Sequence, residues 1–177
     1  MSDTAKDSLG NMLDFIYSEM DGSDLAETYS ERHGIKSAAV LTVYDDETAH
    51  LIASHLAPRI KGRVVVEIGG GIGLLGCHLA QYARRVYCIE ANPMWSWVFA
   101  TALLKSKPKN LSYLFGAADE FHSITGDVAL FCTHSGKQDM MRVGKRFADT
   151  VIDVYGELIE ADPERFDKFA RTMREVV

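Results

Sequence analysis

The residues best equipped for chemistry lie in the middle of the 177-residue chain. Val64-Val65-Val66-Glu67-Ile68 runs directly into Gly69-Gly70-Gly71-Ile72-Gly73-Leu74-Leu75-Gly76. A short β-branched run reads as a buried strand, and the pattern from Leu74 to Tyr82 reads as a helix. Glycines between the two permit positive φ and let main chain approach a ligand closely. The helix behind them offers unpaired N–H groups. Glu90 ends a second apolar run, Val86 to Ile89, where a carboxylate can accept two hydrogen bonds from a diol. His134 follows a later run, Ala129 to Thr133, and an imidazole titrates near neutral pH. A bare loop, a carboxylate and an imidazole thus stand at the ends of predicted strands, where open α/β sheets take ligands.

These residues need a scaffold that brings strand ends together. The reading from Arg63 onward alternates strands with helices. Strands are expected at Arg63–Ile68, Val86–Glu90, Leu111–Phe115, Asp127–Cys132 and Thr150–Tyr155. Helices are expected at Leu74–Tyr82, Pro93–Lys105 and Lys137–Phe147. A closing helix begins at Asp162-Pro163-Glu164, with Asp162 capping and Pro163 in the first turn. Upstream, Leu9, Met12, Leu13, Ile16 and Met20 form one helical stripe, which packs on the sheet or serves as a dimer face or substrate cover. A helix opened by Asp45-Asp46-Glu47 buries Ala49, Ile52, Ala53 and Leu56 and ends at Pro58 and Gly62. Such alternation predicts an α/β fold with a doubly wound, mainly parallel sheet of about five strands. The sheet is shortened at its C-terminal end, which leaves an exposed edge, and a helical segment precedes it. One domain over 1–177 is expected: a helical cover (1–62), a ligand-binding core (63–135) and a C-terminal part (136–177).

Two ligand classes fit the loop. Gly71-x-Gly73-x-x-Gly76 with Glu90 downstream matches a dinucleotide fingerprint. Glu67-x-Gly69-x-Gly71-x-Gly73 resembles the first motif of the class I S-adenosylmethionine-dependent methyltransferases, a Rossmann-like family. The acid at the end of the first strand favours the second reading. A carboxylate at the loop rim repels a pyrophosphate and suits an ammonium and a sulfonium. About 60 residues also precede the loop, whereas a dinucleotide fold often begins at that strand.

The resemblance implies S-adenosylmethionine as cofactor, held by Glu67, Gly69, Gly70, Gly71 and Gly73. It implies that Glu90 bonds the ribose hydroxyls and that Ala91 and Asn92 flank the adenine, with Met94 or Trp95 against the ring. After the third strand the family's usual Gly-Asp-Ala is Gly116-Ala117-Ala118 here. Asp119, or a backbone N–H of Ala117 or Ala118, then takes the adenine contact. At the fourth strand end the Asn/Asp-Pro-Pro-aromatic motif of amino-methylating enzymes is absent, and Thr133-His134-Ser135 stands there. His134 is the candidate base, Thr133 a candidate ligand contact and Tyr44 a candidate lid residue. The expected activity is methyl transfer to an acceptor the residues do not identify, with a small molecule favoured. The alternatives are a noncatalytic donor-binding or scaffolding subunit and a nicotinamide- or flavin-dependent oxidoreductase.

Other features set bounds. The formal charge is -6, so the broad basic field that coats duplex nucleic acid is missing. A local basic patch remains compatible with that charge, but a duplex-coating role and a nucleic-acid partner are not expected. Cys77, Cys88 and Cys132 sit in separate elements without metal-ligand spacing and read as small buried hydrophobes. No metal is expected, because Asp139 is isolated and the fourth strand ends in Thr133-His134. His55 and His78 read as packing residues. The sequence shows no membrane span, and a cytoplasmic location and an optional homodimer complete the expectations.

Overall fold

The computed structural model describes residues 46–102, 107–131, 137–167 and 170. Asp46–Ile60 forms α1, whose acidic first turn holds Asp46 and Glu47, where acids complement the helix dipole. Val64–Ile68 forms β1, Leu74–Leu79 α2, Arg85–Glu90 β2, Pro93–Ala102 α3 and Leu111–Phe115 β3. A single 3-10 turn follows at Ala118–Glu120, then Val128–Phe131 as β4, Lys137–Gly144 as α4, Thr150–Asp153 as β5 and Val154–Ala161 as α5. The strand order is β3-β2-β1-β4-β5, and every pairing is parallel. The order reverses between β1 and β4, so their carboxyl ends flank the crevice where open α/β sheets take ligands.

Side chains leave alternate faces of each strand, and both faces are covered. On one face Val65, Val86, Leu111, Val128 and Leu130 meet Ile52, Leu56, Leu75, Leu79 and Phe99. On the other Val66, Ile68, Ile89, Ala129 and Phe131 meet Phe147 and the α4 methionines Met140 and Met141. The helix faces expected from Ala49, Ile52, Ala53 and Leu56 are fully buried.

Several element ends differ from expectation: α2 stops at Leu79 instead of Tyr82, and α4 at Gly144 instead of Phe147. Pro58 lies inside α1, which runs on to Ile60; a proline in the last turn removes one N–H without ending the helix. The last strand stops at Asp153 instead of Tyr155, because Asp153 Oδ1 accepts the Tyr155 N–H at 3.1 Å and caps α5. Val154 and Leu158, which look like strand and tail in the sequence, bury the inner side of that helix. The expected cap at Asp162 is present and bonds the Arg165 N–H at 3.0 Å. Among the described residues the sheet has five strands, with β3 and β5 at its edges.

Candidate functional site: the glycine loop and its two glutamates

Gly69, Gly71 and Gly73 have φ of 74, 55 and 79°, a left-handed conformation that other residues adopt only at a cost. The N–H groups of Gly69 and Gly70 both donate to the Ile89 carbonyl, at 2.9 and 3.1 Å, so the loop is pinned to the end of β2. The Gly73 N–H donates to the Gly70 carbonyl at 2.9 Å and closes the turn. Close approach governs the other two glycines. A Cβ on Gly70 would stand 2.1 Å from Cys88 Sγ, and one on Gly76 would stand 2.8 Å from Glu67 Oε2.

Glu90 sits at the carboxyl end of β2 and is 8% exposed. Its Oε2 accepts the Gly71 N–H at 2.8 Å and its Oε1 accepts the Asn92 N–H at 2.6 Å. The Glu90 carbonyl accepts the Gly116 N–H at 2.9 Å. One residue therefore joins the loops that follow β1, β2 and β3. Each carboxylate oxygen keeps lone-pair capacity for a further donor.

Glu67 departs from the position expected of it. It lies beneath the loop and not at its rim, on the strand face that α2 covers, and is 1% exposed. In register it stands beside Cys88, and the two side chains are hydrogen-bonded. Its Oε2 has no hydrogen-bond partner. Burial raises the carboxyl to about 8, the Cys88 bond opposes the rise, and the Glu90 charge adds to it. The group is thus mostly protonated at neutral pH and cannot serve as a fixed anion. Burial also pushes the Cys77 thiol up to about 12 and the Cys88 thiol well up, so both buried cysteines are inert packing groups.

The sequence reading missed Tyr113. Its hydroxyl donates to the Gly71 carbonyl at 2.6 Å, and its ring stacks on Phe99 at 3.9 Å between centroids. Burial raises the hydroxyl far above its ordinary range, so it keeps its proton and remains a donor. Gly73 rests on the same pair; a Cβ there would come within 3.2 Å of Phe99. The available signal was periodicity alone: Leu111, Tyr113 and Phe115 share one face of β3.

The remaining expected residues divide. Ala91 is exposed and Asn92 half-buried next to Glu90. Ala118 is half-buried and Asp119 exposed in the 3-10 turn after β3. The Ala117 N–H faces Glu120 Oε1 at 3.4 Å. Trp95 packs into the core at 7% exposure, which removes it as an open ring platform. Tyr44, Cys132, Thr133, His134 and Ser135 lie outside the described residues.

His55 and His78 serve helix packing. His78 is buried, with Nε2 2.7 Å from Asp46 Oδ1 and Nδ1 3.2 Å from Gln81 Nε2; burial pulls its pKa down. His55 Nε2 lies 3.2 Å from Glu157 Oε2, and Arg59 grips both oxygens of that carboxylate. The ligand atoms of His55, Glu157 and Glu160 fall within 4.8 Å of one another, a grouping the sequence reading did not anticipate. The Arg59 guanidinium already supplies its cation. No helix among the described residues is long and apolar enough to cross a membrane.

No protein-family model matches the chain, and no curated protein matches it. Solved structures do. The precorrin-6y C5,15-methyltransferase of Geobacter metallireducens superposes with a TM-score of 0.54 at 16% identity, covering 66% of each chain. The precorrin-8w decarboxylase of Methanobacterium thermoautotrophicum gives 0.53 at 28% identity over 67% of each. TYW2 of M. jannaschii, solved in complex with AdoMet, gives 0.52 at 17% identity over 74% of this chain and 65% of that one. The fold is that of the class I S-adenosylmethionine-dependent methyltransferases. Within this methyltransferase fold the glycine loop stands at the end of the central strand β1, and Glu90 stands at the end of its neighbour β2.

Proposed function

We propose that the chain binds S-adenosylmethionine at the glycine loop and transfers its methyl group to an acceptor seated at the carboxyl end of the sheet. The observation that carries this reading is the Glu90 carboxylate on the Gly71 N–H at 2.8 Å. That N–H is a natural seat for a pyrophosphate oxygen, and an anion already occupies it. A dinucleotide would place two negative charges against it. A sulfonium nucleoside instead offers two neutral ribose hydroxyls to the remaining lone pairs and a positive charge nearby.

In this reading Gly69, Gly70, Gly71 and Gly73 form the floor under the donor's amino-acid part. Glu67 supports that floor from below as a neutral acid. Ala91, Asn92, Ala118 and Asp119 border the adenine, and Thr133 borders the methyl side. His134 takes the proton of an acceptor that must lose one, and Tyr44 covers the donor. Methyl transfer breaks the sulfonium S–CH3 bond as the acceptor's electron pair attacks in line. The sulfur leaves as a neutral thioether, and the protein's task is alignment. The described cysteines are unpaired and buried, which supports a reducing, cytoplasmic setting, and the whole chain is read as one domain.

Thermal unfolding tests the ligand class. S-adenosylhomocysteine at 100 times its Kd contributes about 2.7 kcal/mol, or a rise in Tm of about 5–10 °C for a chain of this size. NAD at the same concentration should leave Tm unchanged. A larger shift with NAD would overturn the reading.

A further inference from the structure

The amino-terminal end of the sheet, opposite the glycine loop, carries a concentration of positive charge. Lys61 and Arg63 precede β1, Arg84 and Arg85 stand at the start of β2, and Lys107 and Lys109 precede β3. The stretches 61–66, 80–89 and 107–118 contain no Asp or Glu. Main-chain bonds hold these ends side by side. The Arg84 N–H donates to the Arg63 carbonyl at 2.8 Å, and the Val86 N–H donates to the Asn110 carbonyl at 2.9 Å. Asn110 Nδ2 also bonds the Ala80 and Ala83 carbonyls, at 2.8 and 3.0 Å, and ties the β3 approach to the turn before β2.

Two of the six cations are engaged. Arg85 Nη2 donates to Ser112 Oγ at 2.6 Å and Lys107 Nζ to the Leu111 carbonyl at 2.6 Å. The other four, Lys61, Arg63, Arg84 and Lys109, are exposed, and none forms an ion pair with a carboxylate among the described residues. Their excess is local. Nine of the chain's acids and only three of its bases precede Asp46, so bases and acids balance over the rest.

We infer that this end of the sheet docks the phosphate backbone of a single-stranded nucleic acid. Three features select that partner. Among the described residues the large exposed apolar side chains are Phe115, at the opposite end of β3, and Ile159, on α5. The described residues of the basic end therefore offer no apolar core of the kind a protein partner requires, whereas nucleic-acid interfaces are polar and positively charged. The cations form a row along three strand ends, about 10 Å wide at the usual strand spacing, which suits an extended polyanion. Asp127 and Asp149 stand before β4 and β5, and Asp127 Oδ2 accepts the Val64 N–H at 2.7 Å beside Arg63. Lys145 and Arg146 also precede β5, but Lys145 is tied to the Asp149 carbonyl and Arg146 Nη2 lies 3.1 Å from His122 Nδ1, so the free cations span one strand's width, which disfavours a duplex. The docking does not depend on the methyl-donor reading, and its place opposite the glycine loop makes it a tether.

Fluorescence anisotropy with a labelled 20-nucleotide single-stranded RNA, titrated with the full chain at several salt concentrations, tests this. Binding is expected at low salt, with a log–log salt slope of about -3 for four neutralised phosphates. Arg63→Ala with Arg84→Ala should weaken it at least tenfold and flatten the slope by about 1.4. Lys61→Glu, Arg63→Glu, Arg84→Glu and Lys109→Glu together should abolish it. These side chains are exposed and form no ion pair among the described residues, so circular dichroism and Tm should stay at the parent values. Unaltered RNA affinity in a folded fourfold variant would overturn the inference. So would a duplex bound as tightly as the single strand, or polyglutamate of equal charge competing as well as RNA, which would point to an acidic protein or the chain's own acidic N-terminal part.

Discussion

Glu90 and Glu67 approach the same glycine loop from different sides, one residue type in two environments. Glu90 reaches it from the end of β2 and meets two main-chain N–H groups, one on each carboxylate oxygen. Glu67 reaches it from below, between β1 and α2, where it is buried against a thiol and the close-packed Gly70 and Gly76. Burial keeps the second as an acid near neutral pH. The difference gives them separate work: Glu90 joins the loops and, in the proposed function, holds the ligand, and Glu67 fills the space that lets α2 pack close to β1. The charge argument that the sequence attached to Glu67 belongs to Glu90.

Substitutions at the two sites should separate these roles. The largest effect is expected from Glu90→Gln, which turns one charged acceptor into a donor facing an N–H. S-adenosylhomocysteine affinity should fall about 100-fold, since hydrogen bonds to charged groups contribute roughly 1.5–3 kcal/mol each. Equilibrium dialysis reads this directly, and an affinity within threefold of the parent would remove Glu90 from the site.

Next comes the close packing under the loop. Gly70→Ala forces a methyl to within 2.1 Å of Cys88 Sγ and should cost about 3 kcal/mol by urea unfolding. Cys88→Ala removes the obstructing sulfur, so the double variant should recover part of that loss. Strict additivity of the two changes would show that the loop and β2 are not in contact there.

Glu67→Gln should show its effect through pH. The native carboxyl titrates at about 8, against 4.5 for an unperturbed one. Between those values the native state holds a proton that the unfolded state has released. This contribution is full below about pH 4.5 and is lost as pH rises toward 8, by at most about 1.4 kcal/mol per pH unit. The glutamine variant lacks that loss. Its stability relative to the parent should therefore improve by at least about 1 kcal/mol from pH 5 to pH 7.5, with S-adenosylhomocysteine affinity nearly unchanged at pH 7. A pH-independent difference between the two proteins would place Glu67 in solvent.

The smallest effect is expected at Tyr113→Phe. The ring still stacks on Phe99, and only the hydroxyl bond to the Gly71 carbonyl is lost, for about 1 kcal/mol. Tm should fall by about 2–4 °C, and ligand affinity should weaken about fivefold because the loop loses its tie to β3. A Tm loss without an affinity loss would make the hydroxyl a packing feature alone.

Much of this architecture was legible along the chain. The β3 limits Leu111 and Phe115, the loop at Gly69–Gly73 and the inward face of α1 follow from periodicity and glycine placement. The depth of Glu67 did not, because alternation places it with Val65 on one face but is silent on how closely a helix covers that face. Gly70 and Gly76 set that distance, and their partners lie on other strands. Tyr113 escaped for a similar reason: its bond to Gly71 spans 42 residues and leaves no local pattern. The strand β5 was overextended because Val151-Ile152 passes into Val154-Tyr155 without a break in apolar character. The turn is made by the Asp153 cap, one side chain against one N–H.

Isothermal titration calorimetry of S-adenosylhomocysteine and NAD into the parent chain and Glu90→Gln tests the account most directly. The account predicts one S-adenosylhomocysteine bound per parent chain, about 100-fold weaker binding to the variant, and no measurable heat from NAD. Tighter binding of NAD, or equal S-adenosylhomocysteine affinity in the two proteins, would contradict it.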